Sequence, residues 1–244
     1  MLKNFSITAA IATITIAANL ACAGTSAPPD SGYVAAKTLA QLPHNVLPKE
    51  YDISITPDVN TMRIAGTEIV KVHFTEATDK IQFNSSNQKI AHVMLDGEAV
   101  ESVRSNEDHQ LTTIGLKAPA SAGPHTLSFA FVGQIDQQLH GLFTQPNVGK
   151  NGSKGLFLTA QFEGADTHRI FPCWDDPAFN ASYQLKITVP NNWQAWSSMP
   201  VTGRDVHGEF TTISYAKTSD LVSQLLEFSS IHPLQSREDY LGKN

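Results

Sequence analysis

Residues 159–177 read T-A-Q-F-E-G-A-D-T-H-R-I-F-P-C-W-D-D-P and hold the side chains with the most chemical potential in this chain. Glu163 follows a strand-like run, Gly155 to Phe162. An acid at a strand end can project into a cleft and pair with a ligand ammonium group, and the pair gains most where water is partly excluded. Glu163 could instead pair with Arg169 or His168 and only hold its own loop. Cys173 has no histidine at a fixed spacing and follows a proline between aromatic residues, which reads as a buried, inert thiol. Asp175 and Asp176 precede Pro177, where acids commonly close turns or cap a helical start. Phe171 and Trp174 are candidate core anchors.

Other chemistries find little support. None of the nine histidines is followed by Glu, so H-E-x-x-H is absent, and no two lie three or four residues apart. No metal site and no catalytic residue is therefore expected. His73 falls on the wetter face of a strand, and His109 and His207 near turns. There is no G-x-S-x-G elbow and no phosphate loop. The formal charge is -6, with no basic cluster, which argues against nucleic-acid binding.

The elements that must position Glu163 show a period of two almost throughout. Tyr51, Ile53 and Ile55 alternate with polar residues. So do Val70, Val72 and Phe74; Ile81 and Phe83; Leu127, Phe129 and Phe131; and Tyr183, Leu185, Ile187 and Val189. This places one face of each strand on a core. Around Phe210, Thr212 and Ser214 the polarity is reversed, with Ile213 and Tyr215 as the inner residues. Asp96-Gly97 between Ile90–Leu95 and Glu98–Val103 marks a hairpin. Pro119 to Pro124 and Pro190-Asn191-Asn192 mark further turns, and 147–155 reads as a flexible loop. No window before residue 219 has a sustained helical period. The expected fold class is all-β, a sandwich of antiparallel sheets built from many short strands.

The first 23 residues read as a signal peptide: Lys3, the apolar run Ile7 to Leu20, then Ala21-Cys22-Ala23 before Gly24. Export to the periplasm or beyond follows. Leu20-Ala21-Cys22 also has part of a lipoprotein box, so a lipid anchor at Cys22 is the alternative to simple cleavage. Residues 24–45 read as a flexible leader, 46–230 as the β-domain and 231–244 as a frayed tail. With Cys22 removed or acylated, the mature chain keeps one thiol and no internal disulfide.

From Leu47-Pro48 and Tyr51, through Gly66, Gly141-Leu142-Phe143 and residues 159–177, to Ser197-Ser198-Met199-Pro200, the chain resembles the N-terminal domain of aminopeptidase N-like zinc metallopeptidases. The family pattern is T-Q-F-E, then F-P-C-W-D-E-P, then a strand, then S-N-M-P. The resemblance implies a saddle-shaped β-sandwich lying against a catalytic domain. It implies that Glu163 holds the free α-amino group of a peptide substrate, with Gln161 near the same pocket. It also implies that zinc, absent from this chain, is held by the catalytic domain of the complete enzyme. A fixed carboxylate on the ammonium would measure the distance from the N-terminus to the scissile bond.

The chain departs from the family at several positions. His168 stands where the family has arginine, Asp176 where it has glutamate and Ser198 where it has asparagine. The closing T-P-x-M-S-S-Y-L becomes Thr218-Ser219-Asp220-Leu221-Val222-Ser223-Gln224-Leu225. An early stop or frame shift, a fragment, or a paralogue freed from catalysis would each account for such an end. Two readings of function follow: the substrate-recognition domain of an exported zinc aminopeptidase, inactive alone, or a non-catalytic periplasmic β-sandwich interaction module.

Overall fold

The computed structural model describes residues 41–136, 141–148, 154–161, 166–223 and 228–231. The expected signal peptide, most of the leader and the tail beyond Ile231 lie outside them. The fifteen strands described are β1 (Val46–Asp58), β2 (Arg63–Phe74), β3 (Thr78–Asn84), β4 (Lys89–Leu95), β5 (Glu98–Ala99), β6 (Ser102–Asn106), β7 (Leu111–Ala120) and β8 (Gly123–Gln134). After them come β9 (Gly141–Val148), β10 (Lys154–Gln161), β11 (Ser182–Pro190), β12 (Gln194–Ser197), β13 (Val201–His207), β14 (Phe210–Tyr215) and β15 (Phe228–Ile231). They form an eight-stranded sheet ordered β13-β14-β11-β1-β2-β8-β4-β5, a four-stranded sheet β12-β15-β10-β9 and a three-stranded sheet β3-β7-β6.

The alternation translates directly into burial. Tyr51, Ile53, Ile55, Val70, Val72, Phe74, Leu127, Phe129, Phe131, Tyr183, Leu185, Ile187 and Val189 all lie in one hydrophobic core, and Ile81 and Phe83 meet them from the three-stranded sheet. The Phe83 ring stacks on Phe129 at 5.4 Å and meets Trp174 at 5.5 Å. Each such pair adds about 0.5–1.5 kcal/mol beyond its buried area. Ile213 and Tyr215 face inward while Phe210 stays exposed, as the reversed polarity of that strand requires. Gly66 lies directly across from Phe131. A Cβ on Gly66 would fall 2.4 Å from Cζ of that ring and 2.9 Å from the Ser54 carbonyl oxygen.

The expected all-β class holds, and three local expectations need correction. Within the antiparallel sheets one pair, β1 and β11, runs parallel, Tyr51 beside Tyr183. Their rings stack at 4.8 Å, so the long crossover between them is closed by aromatic contact. The Asp96-Gly97 hairpin forms, with φ of 51° and 83° that suit a type I′ turn. Its second strand, expected to run to Val103, ends at Ala99. There the chain changes partner: Val100 N–H still donates to Val93 on β4, whereas Glu101 N–H donates to Gly115 on β7. Of the flexible loop expected at 147–155, Asn147 and Val148 instead pair with Gly155 and Lys154 in the β9–β10 ladder, and 149–153 lie outside the described residues. Finally, the packed body reaches back beyond residue 46, since Leu42 is buried in the core.

The start of β8 is clasped to the β4–β5 turn. His125 Nδ1 lies 2.6 Å from Asp96 Oδ2 and its Nε2 lies 2.8 Å from the Ser121 carbonyl. Both ring nitrogens face acceptors, so only the doubly protonated ring satisfies both. Burial alone would lower the His125 pKa, but these bonds raise it above the ordinary value; burial likewise pushes Asp96 up, and the bonds from His125 and the Thr126 amide outweigh it and lower the Asp96 pKa. The His125 contribution is therefore complete below about pH 6.5 and lost as pH rises through its folded value. That of Asp96 is lost as pH falls. His125→Gln should cost about 0.5–1 kcal/mol at mildly acidic pH and almost nothing above neutrality, read as the difference in urea midpoints.

Outward from the core, β13 is an edge of the long sheet, paired among the described residues only with β14. Its Val201 and Val206 are exposed, and Arg204-Asp205 sit at its centre.

Candidate functional site

The 159–177 segment is a strand that goes out and an arm that returns. The outgoing strand is β10, held between β9 and β15. It ends at Gln161, which pairs with Gly141. The backbone of Gln161 is thus fixed by the ladder two residues before Glu163. The side chain of Gln161 and the whole of Glu163 lie outside the described residues. Gly141 has φ of 61°, and a Cβ there would come within 3.0 Å of Arg169 Cβ on the returning arm. Glycine at this point lets strand and arm lie close together.

The returning arm starts with Asp166 and a single 3-10 turn, Thr167–Arg169. Arg169 Nε donates to Asp166 Oδ1 at 2.6 Å. The turn carries His168 into the interior, where Nδ1 lies 2.7 Å from Asp175 Oδ2, with exposures of 1% and 0% for the two side chains. The His168 amide donates to the same oxygen at 3.1 Å, and Ser223 Oγ donates to Asp175 Oδ1 at 2.7 Å. Burial pushes the Asp175 carboxyl up, yet the bonds from His168 and Ser223 hold it below the ordinary carboxylate range. His168 Nε2 is buried and has no hydrogen-bond partner among the described residues.

Backbone bonds tie the same arm to the end of β3. Asn84 N–H donates to the Cys173 carbonyl at 2.8 Å and Cys173 N–H donates back at 3.0 Å. The Asp175 amide donates to Asn84 Oδ1, and the Trp174 amide to the Tyr51 hydroxyl at 3.3 Å. Ser86 N–H reaches the His168 carbonyl. An arm this fully bonded is a rigid support. On its outer side Arg169 lines a polar cleft of about 470 Å³ together with Arg63, Asn87, Gln134 and Asp136.

The expected roles sort themselves on this geometry. Cys173 is fully buried, and burial, with Asp175 and Glu68 nearby, pushes its thiol far up, so it is inert. Phe171 and Trp174 are core anchors. Asp176 Oδ1 accepts the Ala178 amide at 2.8 Å and closes the turn at Pro177. Asp175 is structural as well. Both residues named as alternative partners of Glu163 bond elsewhere: His168 to Asp175 and Arg169 to Asp166. Among the described residues, no three His, Cys, Asp or Glu side chains gather as a metal site would need.

Three residues escaped sequence reasoning. Asn84 and Ser223 supply bonds to the arm from distant positions, and neither has a local signal. Glu68, on β2, is 1% exposed, and among the described residues neither oxygen has a hydrogen-bond partner. Its parity with Val70 and Phe74 was the available signal.

Comparison with known proteins matches residues 47–225 to the Peptidase M1 N-terminal domain. Aminopeptidase N of Acetobacter pasteurianus is 31% identical over 191 residues, covering 78% of this chain and 54% of the relative. Aminopeptidase M1-B of Oryza sativa subsp. japonica is 33% identical over 195 residues, covering 77% of this chain and 21% of the relative. The puromycin-sensitive aminopeptidase of Caenorhabditis elegans is 26% identical over 202 residues, covering 80% and 21%. The chain thus spans about half the length of the first and about a fifth of the others.

Proposed function

The chain belongs to the Peptidase M1 N-terminal domain family, and on that premise we propose that it is the substrate-recognition domain of an exported, zinc-dependent aminopeptidase. Its ligand is the free N-terminus of a peptide. Glu163 accepts hydrogen bonds from the α-ammonium group, and Gln161 lines the same pocket. Zinc and the groups that activate water belong to a catalytic domain, the chief partner of this one. That domain would polarise the substrate's scissile carbonyl and activate the attacking water, while this one fixes where the chain end sits.

The observation that best supports this reading is the buried arm from His168 to Asp175. A carboxylate that measures a distance must not move, and the ladder at Gln161 and the bonded arm from Asp166 fix the backbone on either side of Glu163. Export through the signal peptide, or anchoring through Cys22, would place the reaction outside the cytoplasm.

In the complete enzyme, Glu163→Ala should raise KM by roughly 10–100-fold, the worth of a hydrogen bond to a charged group, with a smaller change in kcat. Steady-state kinetics on alanyl and leucyl arylamides measure it. An unchanged KM removes the anchor role, and the chain is then better described as a non-catalytic periplasmic β-sandwich interaction module.

A further inference from the structure

The inner face of β2 carries one residue that does not belong in a hydrophobic layer. Glu68 lies between Ile53 on β1 and Phe129 on β8, both core residues. Its neighbours along the face are Gly66 and Val70. It is 1% exposed, and among the described residues neither carboxyl oxygen has a hydrogen-bond partner. An ionised carboxylate in that position would lack both water and a counter-charge, a state costly enough that the group takes up a proton instead. Burial accordingly pushes Glu68 well above the ordinary carboxylate range.

The titratable groups facing Glu68 are all acids. Tyr51 on β1 sits diagonally across the ladder, since Tyr51 pairs with Val70 and Ile53 with Glu68. Tyr183 on β11 stacks on Tyr51. Cys173 and, beyond it, Asp175 face it from the returning arm. Glu68 adds to the upward shift of Tyr51, Tyr183 and Cys173. Tyr51, Tyr183 and Cys173 stay neutral and supply no counter-charge, so burial is what opposes a negative charge on Glu68, and that charge would act first on the layer where the Tyr51 hydroxyl holds the Trp174 amide.

We infer that Glu68 is a proton-held latch: protonated, it lets the long sheet and the 166–177 arm pack together, and loss of its proton to solvent opens the layer that covers Cys173. The latch differs in kind from substrate binding and does not depend on Glu163. Its sign is fixed by burial. Below about pH 4.3 the unfolded chain is protonated too, and Glu68 carries no charge penalty. As pH rises, the unfolded chain ionises while the folded one does not, so stability falls until the folded value is passed.

The test uses the full chain and two variants, Glu68→Gln and Glu68→Met. The first keeps shape and polarity without charge; the second keeps length without polarity. Melting midpoints are followed from about pH 5 to about pH 9, where the advantage of each variant over the parent should widen to roughly 5 °C or more. At alkaline pH a maleimide, its site located by peptide mapping, should label Cys173 at least about tenfold faster in the parent than in either variant. A pH-independent difference in midpoint, or equal labelling of Cys173, overturns the latch. So does a parent more stable than both variants at every pH, because Glu68 would then be ionised and satisfied.

Discussion

Asp175→Ala should lower the stability of the domain by about 3–5 kcal/mol, the usual result of removing one member of a buried, hydrogen-bonded pair. Three donors lose their acceptor together: the His168 amide, His168 Nδ1 and Ser223 Oγ. None can turn to water, since His168 and Ser223 are each 1% exposed. For a domain of this size the melting midpoint should fall by roughly 10 °C. Asp175→Asn should fall between the two, because one end of its amide presents hydrogens to a donor. The acid limb provides a second measurement. The depressed Asp175 carboxyl contributes stability that is present above about pH 3.9 and lost as pH falls through its folded value. The Asn variant should lack that part of the acid unfolding curve. If Asp175→Ala unfolds at the parental midpoint, the arm is not held as described.

Gly66→Ala should be nearly as damaging for a different reason. The added methyl group meets the Phe131 ring at 2.4 Å and the Ser54 carbonyl oxygen at 2.9 Å. The ring is 2% exposed and packed in the core, and the carbonyl belongs to the neighbouring strand, so neither can step aside freely. Overpacking of this kind costs about 1–3 kcal/mol. The double variant Gly66→Ala/Phe131→Leu should recover part of the loss, since the leucine side chain no longer covers the glycine. Chemical denaturation of the four proteins in a double-mutant cycle gives the coupling directly. Strict additivity would show that the clash is not the cause.

Much of this was open to reading from the sequence, and the limit follows from physics. Alternation of polarity names the inward residues of a strand, as at Tyr51, Val70, Leu127 and Tyr183, but it does not name the strand's neighbours. The parallel neighbourhood of β1 and β11 depends on a contact between residues more than a hundred positions apart, and no local pattern encodes it. Val100 and Glu101 show the same limit at shorter range: both look like strand, yet one serves β4 and the other β7. At Glu68 parity places the residue inside and charge argues for outside; only the packing decides. The end of the chain teaches a finer lesson. Of the closing motif, proline, methionine and tyrosine are replaced, but Thr218 and Ser223 remain. Thr218 bonds Tyr183 through both its amide and its hydroxyl, and Ser223 holds Asp175. These two retained residues satisfy buried polar atoms; the other serine of the motif has become Val222 and its leucine is kept as Leu225. Of the candidate site, the structural parts of Asp175 and Asp176 were legible, whereas the support from Asn84 and Ser223 arises only in three dimensions.

The edge at β13 has one more consequence, for solubility. An edge strand bearing exposed valines is a template on which a second molecule could add by antiparallel pairing. A two-fold pairing over the whole of Val201–His207 has its axis at Arg204, which brings two guanidinium groups face to face. Like charges directly opposite disfavour that ladder. The remaining registers give up part of the strand's length and its backbone bonds. A single arginine at the midpoint of the strand thus guards the long sheet against growing into its own copy.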